Sequence, residues 1–113
     1  MNIKELKDLY YEYTQRIAPG INSIVLKLRS NDLEAAFADI FNFSEGIEAL
    51  IKIEQALMSE SYKINSRITE ATEIFLQVNE AIEQEDITLV ADIFEYEILP
   101  LFVSCSEWTF EKK

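Results

Sequence analysis

Ile87, Ala91, Phe94, Ile98, Leu101, Cys105 and Trp108 follow one another in steps of four and three. That spacing draws one continuous apolar line along a helix. Leu89, Ile93, Tyr96, Pro100 and Val103 draw a second line of the same kind on the same segment. At about 100° per residue the two lines lie roughly 150° apart. A helix flanked by two bundle neighbours needs apolar surface in directions about a right angle apart, not nearly opposite. The segment therefore has more apolar surface than two flanking helices require, and this limits what the chain can fold into.

The rest of the chain shows the same three-and-four spacing almost without interruption. Ile3, Leu6, Tyr10, Tyr13, Ile17, Ile21, Ile24 and Leu28 mark a first helix, in which Pro19-Gly20 predicts a kink or short break. Ser30-Asn31-Asp32 is a turn signal, with Asn31 and Glu34 spaced as in a capping box. Leu33, Ala36, Ile40, Phe43, Ile47, Leu50 and Leu57 mark a second helix, and Met58–Lys63 the next turn. Ile64, Ile68, Ala71, Phe75, Val78 and Ile82 mark a third. Glu83–Asp86 closes it, Asp86 being the expected N-cap of a fourth helix from Ile87 to about Phe110. With only two Gly and two Pro in 113 residues, loops are few. The expected fold is all-α: one domain over residues 1–113, an up-down-up-down antiparallel four-helix bundle with hairpins over about 2–58 and 62–110.

One block occurs twice. Ser30–Phe43, SNDLEAAFADIFNF, and Glu83–Tyr96, EQEDITLVADIFEY, each read turn, cap, then Ala-Asp-Ile-Phe and an aromatic, with one residue of difference after the turn. The hairpins are thus candidates for a pseudo-repeat. On that alignment Ile40 and Phe43 match Ile93 and Tyr96, which puts the Leu89/Ile93/Tyr96/Pro100/Val103 line inside. The Phe94/Ile98/Leu101/Trp108 line is then surplus and, with Phe102, becomes the expected partner-binding surface. The opposing arrangement is a central fourth helix wrapped on both sides, which makes the same residues core.

Chemistry-bearing residues are scarce. The chain has no His, hence no imidazole base, no Ser–His or Cys–His pair and no ferritin-like Glu-x-x-His set. It has no glycine-rich phosphate loop and no calcium loop. Asp39 and Asp92 hold equivalent places in the repeated block. As a pair with Glu95 or Glu97 they suit a metal, but hydrogen bonding to a Tyr or cation of helix one is the commoner use, so no metal and no cofactor is expected. Asp39, Asp92, Tyr96 and Pro100 are accordingly read as structural, Pro100 by removing the donor for the Tyr96 carbonyl and bending the helix. Cys105 sits in an apolar line, where a thiol is packing. No catalytic residue is expected.

Net charge is −11, unevenly spread: residues 1–67 hold ten acids and eight bases, whereas Ile68 to Glu111 holds eleven acids and no Lys or Arg. Such a segment repels phosphate, so neither nucleic acid nor anionic membrane is an expected partner, and it attracts a basic one. With no apolar stretch of the roughly 18–20 residues a bilayer needs, no signal-like N-terminus and a single Cys, the expected location is cytoplasmic.

The stretch AIEQEDITLVADIFEYEILPLF, above all Glu95-Tyr96-Glu97 with Pro100, resembles the C-terminal signature of small all-helical proteins of unknown function associated with flagellar and motility gene clusters of low-GC Gram-positive bacteria. The resemblance covers about twenty residues and implies no catalytic residues. Size, helix count and acidity are also similar to those of flagellar export chaperones, an analogy of fold alone. The expected function is a non-enzymatic protein-interaction module, adaptor or export-chaperone-like, that binds an amphipathic, basic-flanked partner helix along helix four. The alternatives are a structural homodimer and, more remotely, a carboxylate metal- or ligand-binding sensor.

Overall fold

The structure, a computed structural model, describes residues 2–103 and 108–112. It is mostly helical, with four helical stretches and a small two-stranded sheet. Helix α1 spans Ile3–Arg29 and α2 Leu33–Ser59; strand β1 is Tyr62–Asn65; α3 is Ile68–Glu83. The fourth stretch is α4 (Ile87–Asp92), π-helical turns (Ile93–Ile98) and α5 (Leu99–Val103) in unbroken succession, and strand β2 is Thr109–Lys112. At about 1.5 Å per residue, the two 27-residue helices account for the 45 Å long axis.

The third and fourth stretches are much shorter than α1 and α2, and the sheet makes up the difference. β1 and β2 pair antiparallel, Ile64 opposite Phe110, across the N-terminal turns of α1. Tyr62, Ile64 and Phe110 pack on the core, while Lys63 and Glu111 alternate outward. Rings tie the whole together. Phe43 of α2 meets Phe75 of α3 at 5.7 Å, Phe94 at 5.5 Å and Phe102 at 6.2 Å between centroids. Phe102 meets Trp108 at 5.3 Å, Trp108 meets Tyr10 of α1 at 6.5 Å, and Tyr10 meets Phe110 of β2 at 4.7 Å. One line of aromatic contacts thus joins all four helical stretches and the sheet, mostly tilted or edge to face, as ring quadrupoles favour.

Three sequence expectations about the element ends need correction, and one at Pro19 is narrowed. Of the kink or short break expected there, the break does not occur, since helix α1 runs through Pro19. The proline lies on the exposed side, as does Gln15, whose carbonyl loses its donor, so water can replace the missing bond. Ile64 begins no helix, and the fourth helical stretch, described as far as Val103, does not include Phe110, because Ile64 and Phe110 lie in strands. Asn31 is not the cap: it takes a left-handed φ of 61°, and Asp32 holds the N-cap position of α2 without a capping hydrogen bond from its side chain. Asp86 does cap α4, accepting from the Leu89 amide at 3.1 Å.

The turns before α2 and α4 have the same backbone. Glu85 has φ 58° where Asn31 has 61°. The Asp32 amide donates to the Lys27 carbonyl and the Asp86 amide to the Ala81 carbonyl, the six-to-one bond of a Schellman turn. Counting from these turns pairs Ala36 with Val90, Ile40 with Phe94 and Ile47 with Leu101, all buried. The shared letters Ala-Asp-Ile-Phe are one residue out of step with this pairing. That is why Phe41 is largely exposed and Phe94 wholly buried, and why an interior role for Tyr96 does not follow from Phe43.

A left-handed Glu is disfavoured by its Cβ, whereas glycine is at ease there. Glu85→Gly is expected to raise stability by about 0.5–1 kcal/mol, the relief of left-handed strain less the entropy of a freer unfolded chain, seen as a higher urea midpoint by circular dichroism; an unchanged or lower midpoint would contradict the strain at this turn.

Candidate functional site

The fourth helical stretch has an inner and an outer line, and they are the reverse of the expected ones. Phe94 and Ile98 have no exposure, Phe102 has 1%, and Leu101 and Trp108 have 4% each. These five, expected to bind a partner, are sealed within the molecule's own core. Of the other line only Ile93 is buried; Leu89, Tyr96 and Val103 are 40%, 68% and 69% exposed, and Pro100 is exposed beside them. Cys105 lies outside the described residues.

The π-helical turns explain part of the reversal. The Leu99 amide bonds back five residues, to the Phe94 carbonyl, instead of four. Pro100 follows at once, with no amide proton and a ring that clashes with the carbonyl four residues back. Opening the helix to i→i+5 just ahead of it relieves that clash. The wider turn carries an extra residue, so the inward face broadens and takes in Ile93 together with Phe94 and Ile98. Such insertions often mark functional segments.

Outside the core, the stretch is acidic. Arg29 at the end of α1 bonds Asp92 at 2.9 Å and Glu95 at 2.7 Å. The Asp92 bond first, then the Glu95 bond, hold the guanidinium above its ordinary pKa. Glu97 is exposed and next in line to Tyr96. Asp39 accepts from Lys27 at 2.6 Å and Ser23 at 3.2 Å. Each of the two repeat-related aspartates therefore faces a different cation of α1. Among the described residues, no three Cys, Asp or Glu converge as metal ligands. Nor, among these residues, is any helix long and apolar enough to cross a membrane.

The periodicity gave no hint of the buried polar cluster at the sheet end. Tyr10, with no exposure, donates its hydroxyl to Glu54 Oε2 at 2.6 Å, and Ser66 Oγ donates to the same oxygen at 2.8 Å. Glu54 is itself 7% exposed. The nearby Tyr11 hydroxyl donates to the Trp108 carbonyl at 3.1 Å, while the buried Trp108 Nε1 has no acceptor among the described residues. Burial, then the Glu54 hydrogen bond, push the Tyr10 phenol well above its ordinary value. The only sequence signal was a Glu on the apolar face of α2, between Ile53 and Leu57.

A family model matches residues 5–107, and the chain belongs to that family, described as Domain of unknown function (DUF8042). No curated protein and no solved structure matches the chain.

Two outcomes follow from this geometry. Leu101→Ala is expected to cost about 2–5 kcal/mol in urea unfolding, and Leu101→Asp to abolish folding; a folded, stable Leu101→Asp protein would return that residue to the surface. Tyr10 binds its proton more tightly folded than unfolded. Its contribution is therefore complete below about pH 10 and is lost as pH rises above that. Tyr10→Phe is expected to cost about 1–3 kcal/mol at neutral pH by leaving Glu54 short of a donor. It should also flatten the fall of stability between about pH 10 and 12, measured by urea melts across that range.

Proposed function

We propose that the protein is a non-enzymatic interaction module that receives a partner's amphipathic, basic-flanked helix along the outer line of its fourth helical stretch. The observation that carries this is the exposed series Leu89, Tyr96 and Val103, each seven residues from the next, in a segment with eleven acids and no Lys or Arg. The π-helical turns between Leu89 and Val103 shift this spacing off a strict heptad, so the three side chains make a broad exposed face rather than a narrow seam. Apolar surface of this kind is costly to leave in water, and covering each such side chain fully stabilises by about 1.5–3 kcal/mol.

The charges select the occupant. A second copy laid on the same line about a twofold axis would set acid against acid, and Arg29, the base that reaches this stretch from α1, is already engaged by Asp92 and Glu95. A helix with Lys or Arg beside its apolar stripe would meet the exposed Glu97 with opposite charge and be steered by the acidic surroundings of this line. The frame for this surface is read as an up-down-up-down antiparallel bundle of two hairpins, a pseudo-repeat supported by the matching turns before α2 and α4. On the likeness of Glu95-Tyr96-Glu97 and Pro100 to the motility-associated signature, the module would be an adaptor or an export chaperone-like protein.

A synthetic Leu-rich amphipathic peptide flanked by lysines tests the surface. Wild-type protein should bind it one to one, more weakly as salt rises, whereas its glutamate-flanked counterpart should not bind. Tyr96→Asp with Val103→Asp should remove binding and leave helicity intact, each change shifting stability by no more than about 0.5 kcal/mol. Equal binding by the double variant, or a dimer that persists on dilution in sedimentation velocity and is broken by it, would overturn the reading.

A further inference from the structure

The chain has two glycines, Gly20 and Gly46, and both line one cleft between α1 and α2. Each sits well inside a 27-residue helix, where glycine is the poorest helix former after proline. Neither has a positive φ, so backbone conformation does not require them. A Cβ built on either meets no atom within 4 Å, so packing does not require them either. What they do is keep open a space of about 480 Å³, within the range of small-molecule sites.

The lining has a consistent chemistry. Ile17, Ile24 and Phe43 form an apolar floor. Ser23 and Asn42 supply hydrogen-bonding groups beside it. Arg16 and Lys27 stand at its two ends, at steps of four before and seven after Gly20 on the same stripe of α1. Lys27 is held by Asp39. Among the described residues, the partner that Arg16 shows is Glu12, in an exposed pair one helical turn away. Pairs so exposed contribute little and are easily exchanged. In a chain of net charge −11 the lining of this cleft has two cations and one carboxylate, with Glu12 beside Arg16 as the exchangeable second acid.

We propose that the α1–α2 cleft is a binding site for a small amphipathic anion, its apolar body over Ile17, Ile24 and Phe43 and its acidic group on the Arg16 guanidinium. The glycines let that body approach the two helix backbones. The site is separate from the outer line of the fourth helical stretch and does not depend on what docks there.

Octanoate is the probe, with 1-octanol as its uncharged counterpart, each titrated calorimetrically into the full chain. Octanoate should bind saturably with one site per chain, at least tenfold more tightly than 1-octanol. Arg16→Gln should abolish that difference, and Gly20→Leu or Gly46→Leu should abolish binding of both. Gly20→Ala with Gly46→Ala, which improves both helices, should raise the thermal midpoint while weakening octanoate. Circular dichroism verifies folding, and if a leucine variant fails to fold the alanine pair and Arg16→Gln decide. No saturable octanoate binding, binding unchanged in folded filled variants, or no preference over 1-octanol would each overturn the site. So would a filled variant that keeps octanoate but loses a partner protein, since the cleft would then be seating a helix.

Discussion

The ring-to-ring line from Phe75 through Phe43, Phe94, Phe102, Trp108 and Tyr10 to Phe110 is the contact on which the rest of the structure depends. No helical stretch is without a member, and the strands have one. Because Phe43 meets both Phe94 and Phe102, and Tyr10 meets both Trp108 and Phe110, all far from it in sequence, these contacts fix the relative positions of the elements that carry them. The register this imposes turns Phe94 and Ile98 inward and leaves Leu89 and Tyr96 outside. The surface proposed for a partner is therefore what remains after the aromatic core has taken its share of the same helix.

The polar features fit around that line. Glu54 is tolerated in the interior because Tyr10 and Ser66 both donate to it; a lone carboxylate there would be strongly destabilising. Arg29 and Lys27, two residues apart on α1, hold acids of the fourth stretch and of α2 respectively. These pairs are part-exposed and contribute little stability singly, but they leave the acids around Tyr96 and Glu97 less balanced than those nearer α1.

Much of the fold was legible in the sequence. The three-and-four spacing located the helices and most of their buried residues, from Tyr10 to Ile24, from Ala36 to Leu57, and at Ala71 and Val78. Two apolar lines on the fourth helix were legible, but the Phe94/Ile98/Leu101/Trp108 line expected to be surplus is the one the core takes. The choice rested on matching Ala-Asp-Ile-Phe letter for letter, whereas the equivalent positions are set by the turns at Asn31 and Glu85. The π-helical turns, which depend on Pro100 and its neighbours together, moved the face further. The strands were missed because each is four residues long. Trp108, three residues after Cys105, also continues a helical line well enough to be absorbed by it. The cleft was missed for a different reason: Gly20 was read only with Pro19, and Gly46 sits across from it on another helix.

Trp108 is the single tryptophan, and it is packed between Phe102 and Tyr10 at the end where the strands close over α1. Its emission should be shifted to the blue while that end is closed and move to the red when the strands lift away. The chain thus contains one optical probe, and it reports on the sheet end rather than on the turns at Asn31 and Glu85. Fluorescence and far-ultraviolet dichroism would superimpose on denaturation only if the two ends of the molecule come apart together.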